Sequence, residues 1–574
     1  MRSIVTAPLA SRLRQQATPL VALALMVVAA PRVQAQVAGR GELPVIARPA
    51  LAAANPRTRA ERTGHRETST YDDVRAFLDS IVKPGGPLVL DSLGRTHEGR
   101  LLPLVIASRP AVRTPAEARK LGRAIAYVQA NSHAGEVEGK EAMQALLRDL
   151  AQGTGRSLLD SIVLVVVPIY NADGNERFAD QALNRTEQNG PESVGQRPNA
   201  QNLDLNRDYT KAEAPETRAF HAAVNTWDPD LFMDLHTTDG SFHGYALTWS
   251  PSLHPSSPLT PYVRDTLLPA IAARLEKHTG IKTFAYGNFS NEYGKDVNTD
   301  TVKQGWYTYD HRARFGTNYM GLRNRVSILA EAYSHDPFAR RVEAMRAFVR
   351  ETLGAFAANA KGIMARGAAA DRAIAQGGTY ALQADLTKSP RMLSLISEDL
   401  LRDSTGVRSQ PGVPMGLHRS GQFRTQRLPV YDRFEGTLVT PIPAGWLVEA
   451  RDTAIVSALR RHGVRVARLA KEARVPVLAF LVDSVVQASR PFQGHRETRL
   501  VGHAAPPATE TIPAGTYWVS GRQRLARVAM LLLGPRSDDG LVNWNQLDDR
   551  LVVGQVFPVR AVTSAPAGPL IPVP

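Results

Sequence analysis

A histidine and a glutamate three positions apart are the residues of this chain whose types and spacing most clearly indicate chemistry. His133 and Glu136 follow a strand-like run and stand at the start of a predicted helix. At this spacing both side chains can turn toward one point and offer two of the three protein ligands of a catalytic zinc. The alternative is a polar helix start in which Glu136 serves only the helix dipole. Glu138 is a competing carboxylate, but it lies two residues from Glu136 and points elsewhere.

A histidine at the end of a predicted strand offers the third ligand. His236 follows the apolar run Leu231–Leu235. A metal-binding imidazole needs a partner for its second ring nitrogen, and Asp234 or a nearby carbonyl could serve. A hydrogen-bonded core histidine is the alternative interpretation, and His243, in a Gly-flanked loop, is a rival ligand. The chain has no cysteine, so any metal ligands must be His, Asp or Glu.

Three cationic or amide side chains fit a substrate that carries a carboxylate. Asn206 and Arg207 are adjacent in a loop before a predicted helix. They could bind a carboxylate jointly, the guanidinium through two hydrogen bonds, or they could simply cap a turn. Arg185 lies in a Gly/Asn-rich loop and could face a developing oxyanion, with Arg197 as the second choice.

A glutamate ends another apolar strand. Glu331 closes the run Val326–Glu331, where a buried carboxylate is costly unless it has a role or a partner. Near a metal it would act as a general base. A salt bridge to Arg323 or Arg325 is the alternative.

These motifs, in this order, resemble the zinc metallocarboxypeptidase family. The family pattern has a His-x-x-Glu pair, an Asn-Pro-Asp-Gly loop, an Asn-Arg pair, a distant third His and a late catalytic Glu. The loop here reads Asn171-Ala-Asp-Gly, which alters backbone stiffness. The resemblance covers roughly residues 67–365. It implies zinc binding by His133, Glu136 and His236, binding of a terminal carboxylate by Asn206 and Arg207, carbonyl polarisation by Arg185, and general-base action by Glu331.

The family also has a mobile tyrosine that covers the substrate. Tyr319, in Gly316-Thr-Asn-Tyr-Met-Gly321, is the first choice for this role, ahead of Tyr309 and Tyr307. The specificity pocket has no matching motif, so the preferred C-terminal side chain stays open.

The resemblance implies a secreted bacterial metallocarboxypeptidase that hydrolyses the C-terminal peptide bond of a peptide, with one zinc ion in its catalytic domain. Two other functions fit the same residues. One is a zinc-dependent deacylase or amidase acting on N-acyl amino acids or cell-wall peptides. The other is a non-catalytic envelope protein that binds peptide.

Strands alternating with helices predict the scaffold that positions these residues. Apolar spacing predicts helices over Thr68–Val82 and Gly139–Leu150, and a continuous apolar run predicts a buried strand over Ile162–Pro168. The expected fold class is α/β, with a mixed central sheet, flanking helices and ligands at the strand ends. Phe338–Ile363 is predicted as a closing helix and Ala365–Gly377 as a boundary. Residues 378–574 are predicted to form a smaller β-rich accessory domain.

The N-terminus has the pattern of an export signal. Basic residues precede the apolar run Leu20–Ala30, and Val33-Gln34-Ala35 is a small-residue cleavage site. We therefore predict a signal peptide over residues 1–35, a linker or extended arm over 36–66, and a periplasmic or extracellular location. The apolar run is too short to span a bilayer comfortably, so no integral membrane span is expected after its removal.

Composition limits the other function classes. The 574 residues favour two folded units. The net charge of +15 comes from scattered arginines, with no dense basic tract carrying aromatics, so we expect a peptide partner and no nucleic acid. The sequence carries no signal of oligomeric state.

Overall fold

The alternating strands and helices of the sequence build one mixed sheet of eight strands. The structure is a computed structural model that describes residues 55–289, 305–402, 413 and 416–573. The predicted signal peptide over residues 1–35, and the arm up to residue 54, lie outside the described residues. The predicted α/β class with a mixed central sheet is confirmed.

The carboxyl ends of three neighbouring strands meet at one edge of this sheet. In chain order the strands are β1 (Leu88–Arg95), β2 (Leu101–Ala107), β3 (Ala124–Ala130), β4 (Ile162–Val167), β5 (Leu231–Thr237), β6 (Leu247–Pro251), β7 (Thr283–Ala285) and β8 (Val326–Ala332). Their spatial order is β1-β2-β4-β3-β5-β8-β6-β7. β3 pairs in parallel with β4 and β5, and β5 pairs in parallel with β8. Because parallel strands end at the same edge, β3, β5 and β8 bring their last residues together.

Two hydrophobic clusters cover the two faces of the sheet. The helices are α1 (Tyr71–Ile81), α2 (Glu138–Gln152), α3 (Pro215–Trp227), α4 (Leu268–Thr279), α5 (Phe338–Ala358) and α6 (Ala360–Ala375). One cluster joins Val128 and Met233 to α1, α2, α4 and α5. The other joins Tyr127 and Phe232 to α3 and to segments beyond residue 440. Successive strand residues point to opposite faces, so each central strand contributes to both clusters and is mostly apolar.

The C-terminal part is rich in strands, as predicted. Those of three or more residues are β9 (Thr379–Thr387), β10 (Leu393–Arg402), β11 (Leu417–Leu428), β12 (Arg433–Pro441), β13 (Gly445–Val448), β14 (Ala467–Leu469), β15 (Ala473–Leu478), β16 (Phe480–Gln487), β17 (Thr498–Ala504), β18 (Ala508–Ile512), β19 (Tyr517–Ser520), β20 (Val559–Val562) and β21 (Leu570–Pro572). Seven of them form a second sheet in the order β18-β15-β20-β13-β19-β14-β21. Two helices that the sequence did not predict, α7 (Thr453–Arg461) and α8 (Ala526–Leu533), pack into the cluster on the second face of the main sheet.

The structure differs from the sequence-based expectation in three segments. The predicted closing helix breaks at Asn359, and the Ala-rich stretch interpreted as a boundary is mostly helical in α6, because alanine is the strongest helix former. Within the predicted extended arm, Arg59–Arg62 forms a short helix, held because Glu61 pairs with the buried Arg148.

No helix within the described parts of the chain is both long enough and apolar enough to cross a bilayer.

Candidate active site

Two imidazoles and one carboxylate converge where β3 and β5 end. His133 follows β3, Glu136 precedes α2, and His236 is the next-to-last residue of β5. The Nδ1 atoms of His133 and His236 are 3.2 Å apart. The two carboxylate oxygens of Glu136 lie 2.8 Å from His133 Nδ1 and 2.9 Å from His236 Nδ1. All three side chains are buried, and together they could hold a metal ion.

A carboxylate stands behind each imidazole. Asp204 Oδ1 lies 3.0 Å from His133 Nε2, and Asp234 Oδ2 lies 3.1 Å from His236 Nε2. Such a carboxylate keeps the proton of the neutral ring on Nε2 and directs Nδ1 toward the point where the two rings and Glu136 converge. Asp234 is the partner that the sequence suggested. Asp204 was missed, although its place two residues before Asn206 was a usable signal.

The electrostatics of this cluster favour a positive charge at its centre. Burial opposes charge on Glu136, yet His133 and Arg185 outweigh it and hold the pKa of that carboxyl well below its usual range. Burial likewise opposes a proton on His236, but Asp234 and Glu136 raise its pKa well above the ordinary value. Two nitrogens and a carboxylate oxygen, with no thiolate, form a donor set that fits zinc.

Arg185 braces the carboxylate of the cluster from the side. Its Nη1 donates to Glu136 Oε1 at 3.0 Å, and its Nη2 donates to the carbonyl of Thr238 at 3.1 Å. Its stem passes over Gly135, where an added Cβ would lie 2.6 Å from the Arg185 Cγ. The absence of a side chain at Gly135 therefore lets the guanidinium reach Glu136. Arg185 is buried, and its Nη1 also lies 3.0 Å from Glu187 Oε1.

Asn206 and Arg207 lie on a short 3₁₀ turn next to the cluster. Asp204 begins this turn and accepts from the Asn206 backbone N–H at 2.9 Å. Asn206 Oδ1 accepts from the backbone N–H of Gly316 at 3.1 Å, which ties the turn to the facing helix. The Arg207 guanidinium lies 4.1 Å over the ring of Phe315.

Glu331 lies directly beside His236 in the sheet. The two residues are paired in the parallel register of β8 and β5, so their side chains leave the sheet on the same face. Burial raises the pKa of the Glu331 carboxyl well above its usual range, His236 opposes that rise, and Glu136 and Asp239 add to it. The alternative interpretation, a salt bridge from Glu331 to Arg323 or Arg325, is not what the structure has: Arg323 bonds to the carbonyl of His462, and Arg325 pairs with Asp228 and Asp371.

One cavity of about 330 Å³ joins these residues. His133, Glu136, Arg185, Asn206, Arg207 and Glu331 all line it. The rest of its lining is Arg197, Thr237, Asp239, Tyr286, Asn288, Tyr309, Asp310, Phe315, Thr317 and Leu329. A larger surface cavity of about 1220 Å³ lies elsewhere, along residues 82–90 and 108–113, and includes none of the candidate site residues.

Tyr319 does not lie where the sequence-based expectation put it. It is fully buried in the second hydrophobic cluster, and its hydroxyl lies 2.9 Å from His462 Nδ1. The seven-residue helix Gly316–Leu322 is buried throughout and turns this ring away from the cavity. Tyr309, the second choice, lines the cavity instead, and Tyr307 stacks on Tyr431 with ring centroids 4.4 Å apart.

The rival ligands are engaged elsewhere. Glu138 is bonded to the Thr237 hydroxyl and lies 3.4 Å from Arg341 Nε. The ring of His243 lies 4.2 Å from that of Tyr333. Arg197 remains a rival of Arg185, since it lines the cavity and 37 % of its side chain is exposed.

Comparison with known proteins finds a family model and curated relatives that resemble this chain. Residues 75–319 match the family model described as zinc carboxypeptidase. Carboxypeptidase 2 of Trichophyton tonsurans is 23% identical over 503 residues, which cover 82% of this chain and 81% of that protein. Carboxypeptidase 2 of Trichophyton rubrum is 23% identical over 510 residues, with 82% and 83% covered. The matched segment contains every candidate site residue except Glu331, which follows it.

Solved structures add a weak likeness. A metallo-carboxypeptidase from Burkholderia cenocepacia has a TM-score of 0.36 and 19% identity, covering 51% of this chain and 70% of that one. A metallo-carboxypeptidase from Pseudomonas aeruginosa also has a TM-score of 0.36, with 18% identity and 52% and 70% covered. TM-scores this low support no conclusion about fold or function, so any inference about function starts from the sequence matches.

Proposed function

We propose, from the premise that residues 75–319 belong to the zinc carboxypeptidase family, that this enzyme removes the C-terminal residue of peptides by hydrolysis. The observation that carries the proposal is the single cavity joining the His133 and Glu136 pair, the Asn206 and Arg207 pair, and Glu331. Those residues supply a metal site, a carboxylate site and a base within reach of one substrate.

The metal proposed is one zinc ion on His133 Nδ1, His236 Nδ1 and the Glu136 carboxylate. Support comes from the 3.2 Å approach of the two Nδ1 atoms and from the carboxylates behind both rings. Bound zinc acts as a Lewis acid that makes water more acidic and polarises a carbonyl oxygen. Asp204, Asp234 and Arg185 keep the ligands oriented for it.

Glu331 is proposed as the general base. A buried carboxylate with a raised pKa readily accepts a proton, and its place beside His236 puts it next to the ligands. It would take a proton from the attacking water and return it to the amine of the departing residue. The same carboxyl therefore serves both halves of the reaction.

Asn206 and Arg207 are proposed to bind the carboxylate of the C-terminal residue. Toward the described residues, the Arg207 side chain donates one hydrogen bond, from its Nη1 to the Asn206 carbonyl, and Arg207 lines the cavity. A planar guanidinium binds a carboxylate through two hydrogen bonds. This contact would make the enzyme cut one residue from the end of the chain.

The contacts of Arg185 favour a different cation for the scissile carbonyl. Arg185 is committed to Glu136 and two backbone carbonyls, so we assign it a positioning role. Arg197 lines the cavity, is more exposed, donates from its Nε to Asp204 at 2.9 Å, and has its Nη1 3.6 Å from Glu136 Oε1. We therefore propose that Arg197 faces the developing oxyanion and that Tyr309 replaces Tyr319 as the tyrosine nearest the substrate.

Export and domain division complete the proposal. The leader-like N-terminal pattern supports export to the periplasm or beyond, and residues 378–574 would act as an accessory domain to a catalytic domain over residues 67–365.

A peptide-library digest tests the function. The purified protein is incubated with the library, with and without a zinc chelator, and products are read by mass spectrometry. We expect loss of single C-terminal residues that stops with chelator and returns with added zinc. An N-acyl amino acid and a dipeptide with a blocked amino terminus, compared side by side, separate the peptidase from a deacylase. Faster cleavage of the N-acyl amino acid would overturn the proposal.

A further inference from the structure

Some charged side chains that line the cavity form ion pairs within the protein and others do not. Glu136 pairs with Arg185 at 3.0 Å, Arg197 with Asp204 at 2.9 Å, and Arg312 donates to Asp310 at 2.7 Å. Over the described parts of the chain, the remaining charged lining residues, Arg207, Glu331 and Asp239, make no ion pair. The proposed function gives a role to Arg207 and to Glu331. Asp239 has a charge in the same cavity and no role.

Asp239 is held in place at the rim of the cavity. It lies on the loop after β5, three residues beyond His236, and its side chain is exposed to solvent. The hydroxyl of Tyr286 donates to Asp239 Oδ1 at 2.9 Å. Tyr286 is itself buried, so this bond fixes the carboxylate and leaves Oδ2 available to a ligand.

A continuous aromatic wall separates Asp239 from Arg207. The rings of Tyr286 and Tyr309 have centroids 5.7 Å apart, and those of Tyr309 and Phe315 are 5.1 Å apart. The Arg207 guanidinium lies over Phe315. Asp239 contacts the first ring of this series and Arg207 contacts the last. The cavity thus presents an anion at one end of the wall and a cation at the other.

We propose that Asp239 binds a cationic group on the acyl side of the amide that is cut. This inference rests on the proposed function, in which Arg207 holds the carboxylate of the departing residue. The opposite end of the wall then faces the part of the substrate before the cut bond. The group is an ammonium or guanidinium, supplied by a basic penultimate side chain or by the free amino terminus of a dipeptide.

Arg197, a cation of the same cavity, has other partners. It bonds to Asp204, and its Nη1 lies 3.6 Å from Glu136 Oε1. The charge of Asp239 helps to raise the pKa of Arg197, but among the described residues the two side chains form no ion pair, so Asp239 can still bind a substrate cation.

The test compares matched substrates with the same C-terminal residue. One pair is N-acetyl-lysyl and N-acetyl-norleucyl peptide, and the other is a dipeptide with a free or an acetylated amino terminus. We measure the ratio of kcat/KM between cationic and neutral members for the wild type, for Asp239→Asn and for the control Asp79→Asn. Asp79 is exposed on α1, far along the chain from the cavity residues.

We expect the wild type to favour at least one cationic member by about 2- to 5-fold, as exposed ion pairs allow. Asp239→Asn should bring that ratio close to one, while Asp79→Asn keeps it, and the pair that responds identifies the source of the cation. Calorimetric binding of the same pairs to Glu331→Gln gives a readout without turnover. An unchanged ratio in Asp239→Asn would refute the role of Asp239. Failure of the wild type to cut any member would refute the proposed function instead.

Discussion

At the scale of single residues, Glu331 combines burial with the absence of an ion pair among the described residues. The residue is 8% exposed, lies beside His236 in the register of the sheet, and lines the cavity. Unpaired buried carboxylates are expensive, and proteins keep them where chemistry needs them. The residue therefore gives a sharp test of the proposed base.

Glu331→Gln should lower kcat by about 10²- to 10⁴-fold, because an amide cannot accept the proton of water. The zinc content should stay at one per chain, since the substitution leaves His133, Glu136 and His236 intact. Turnover on a cleaved peptide and elemental analysis are measured on the same preparation. An active, zinc-loaded variant would show that another group is the base.

Asp204→Asn should weaken zinc binding by about 10- to 100-fold, because the carboxylate behind His133 orients that ring and raises its basicity. Asparagine keeps an acceptor oxygen for the backbone N–H of Asn206, so the turn should survive. The affinity is measured by competition with a chromogenic chelator.

Asp310→Asn is the matched control for this measurement. It also lines the cavity, but its carboxylate is bonded to Arg312 and contacts no proposed ligand. Equal affinities in the two variants would contradict a specific role for Asp204.

At the scale of elements, a hairpin of the C-terminal part reaches the turn that carries Asn206 and Arg207. The strands β16 and β17 pair as an antiparallel hairpin. From its tip, Gln493 Oε1 accepts from the Asp204 backbone N–H at 2.8 Å, and His495 Nε2 lies 2.8 Å from a Glu213 carboxylate oxygen. The hairpin thus supports a segment that holds both the carboxylate site and a ligand partner.

Gln493→Ala should lower zinc affinity or kcat/KM by about 5-fold, the equivalent of one hydrogen bond of about 1 kcal/mol. Ser489→Ala, on the same tip, is the control, because its side chain makes no contact with the 204–207 segment. Measurements of both variants use the chelator competition and the peptide assay. A loss shared equally by the two would mean that the tip acts only through overall stability.

The sequence predicted most of the strands that carry the site, because a buried strand can be recognised from the pattern of neighbouring residues in the chain. Ile162–Val167 is continuously apolar, and Leu231–Leu235 is apolar except for Asp234, because both faces of the sheet are covered; such runs are visible without a structure. The adjacency of Glu331 and His236 was not visible, because it depends on which strands pair. The inward turn of Tyr319 was equally hidden, because its partner His462 is distant in the chain.

At the scale of the whole molecule, the two predicted domains share a hydrophobic cluster. Tyr127 and Phe220, from the main sheet and α3, lie in the same cluster as Leu459 and Val519 from the C-terminal part. Two buried histidines belong to this contact, since the rings of His221 and His462 are 4.4 Å apart. His462 Nε2 lies 3.0 Å from the Thr210 carbonyl.

Acid should weaken this contact. Burial, with Arg323 and Arg461, lowers the pKa of His462 to about 3, whereas an unfolded histidine has a pKa near 6.5. In this pH range His462 therefore binds a proton in the unfolded chain and stays neutral in the folded chain. The free energy of unfolding falls for this reason as the pH drops from about 6.5 toward 3. The slope is about 1.4 kcal/mol per pH unit for one proton.

His462→Gln should reduce the number of protons taken up on unfolding by about one between pH 6 and pH 4.5. The free energy of unfolding should therefore depend less steeply on pH than in the wild type. Urea unfolding at fixed chelator concentration measures it, with the exposed His97→Gln as control. An unchanged slope in His462→Gln would show that this histidine does not stay neutral in the folded protein.

The pairing of Glu331 with His236 has a consequence for how this protein could change over evolution. Backbone hydrogen bonds between β5 and β8 set the spacing of the proposed base from a proposed ligand, so insertions in the surrounding loops leave that spacing unchanged. A deletion of one residue inside Val326–Ala330 would do the opposite. It would turn Glu331 to the far face of the sheet and put an alanine beside His236. The loops can therefore diversify the substrate, while the two strands must keep their length to the residue.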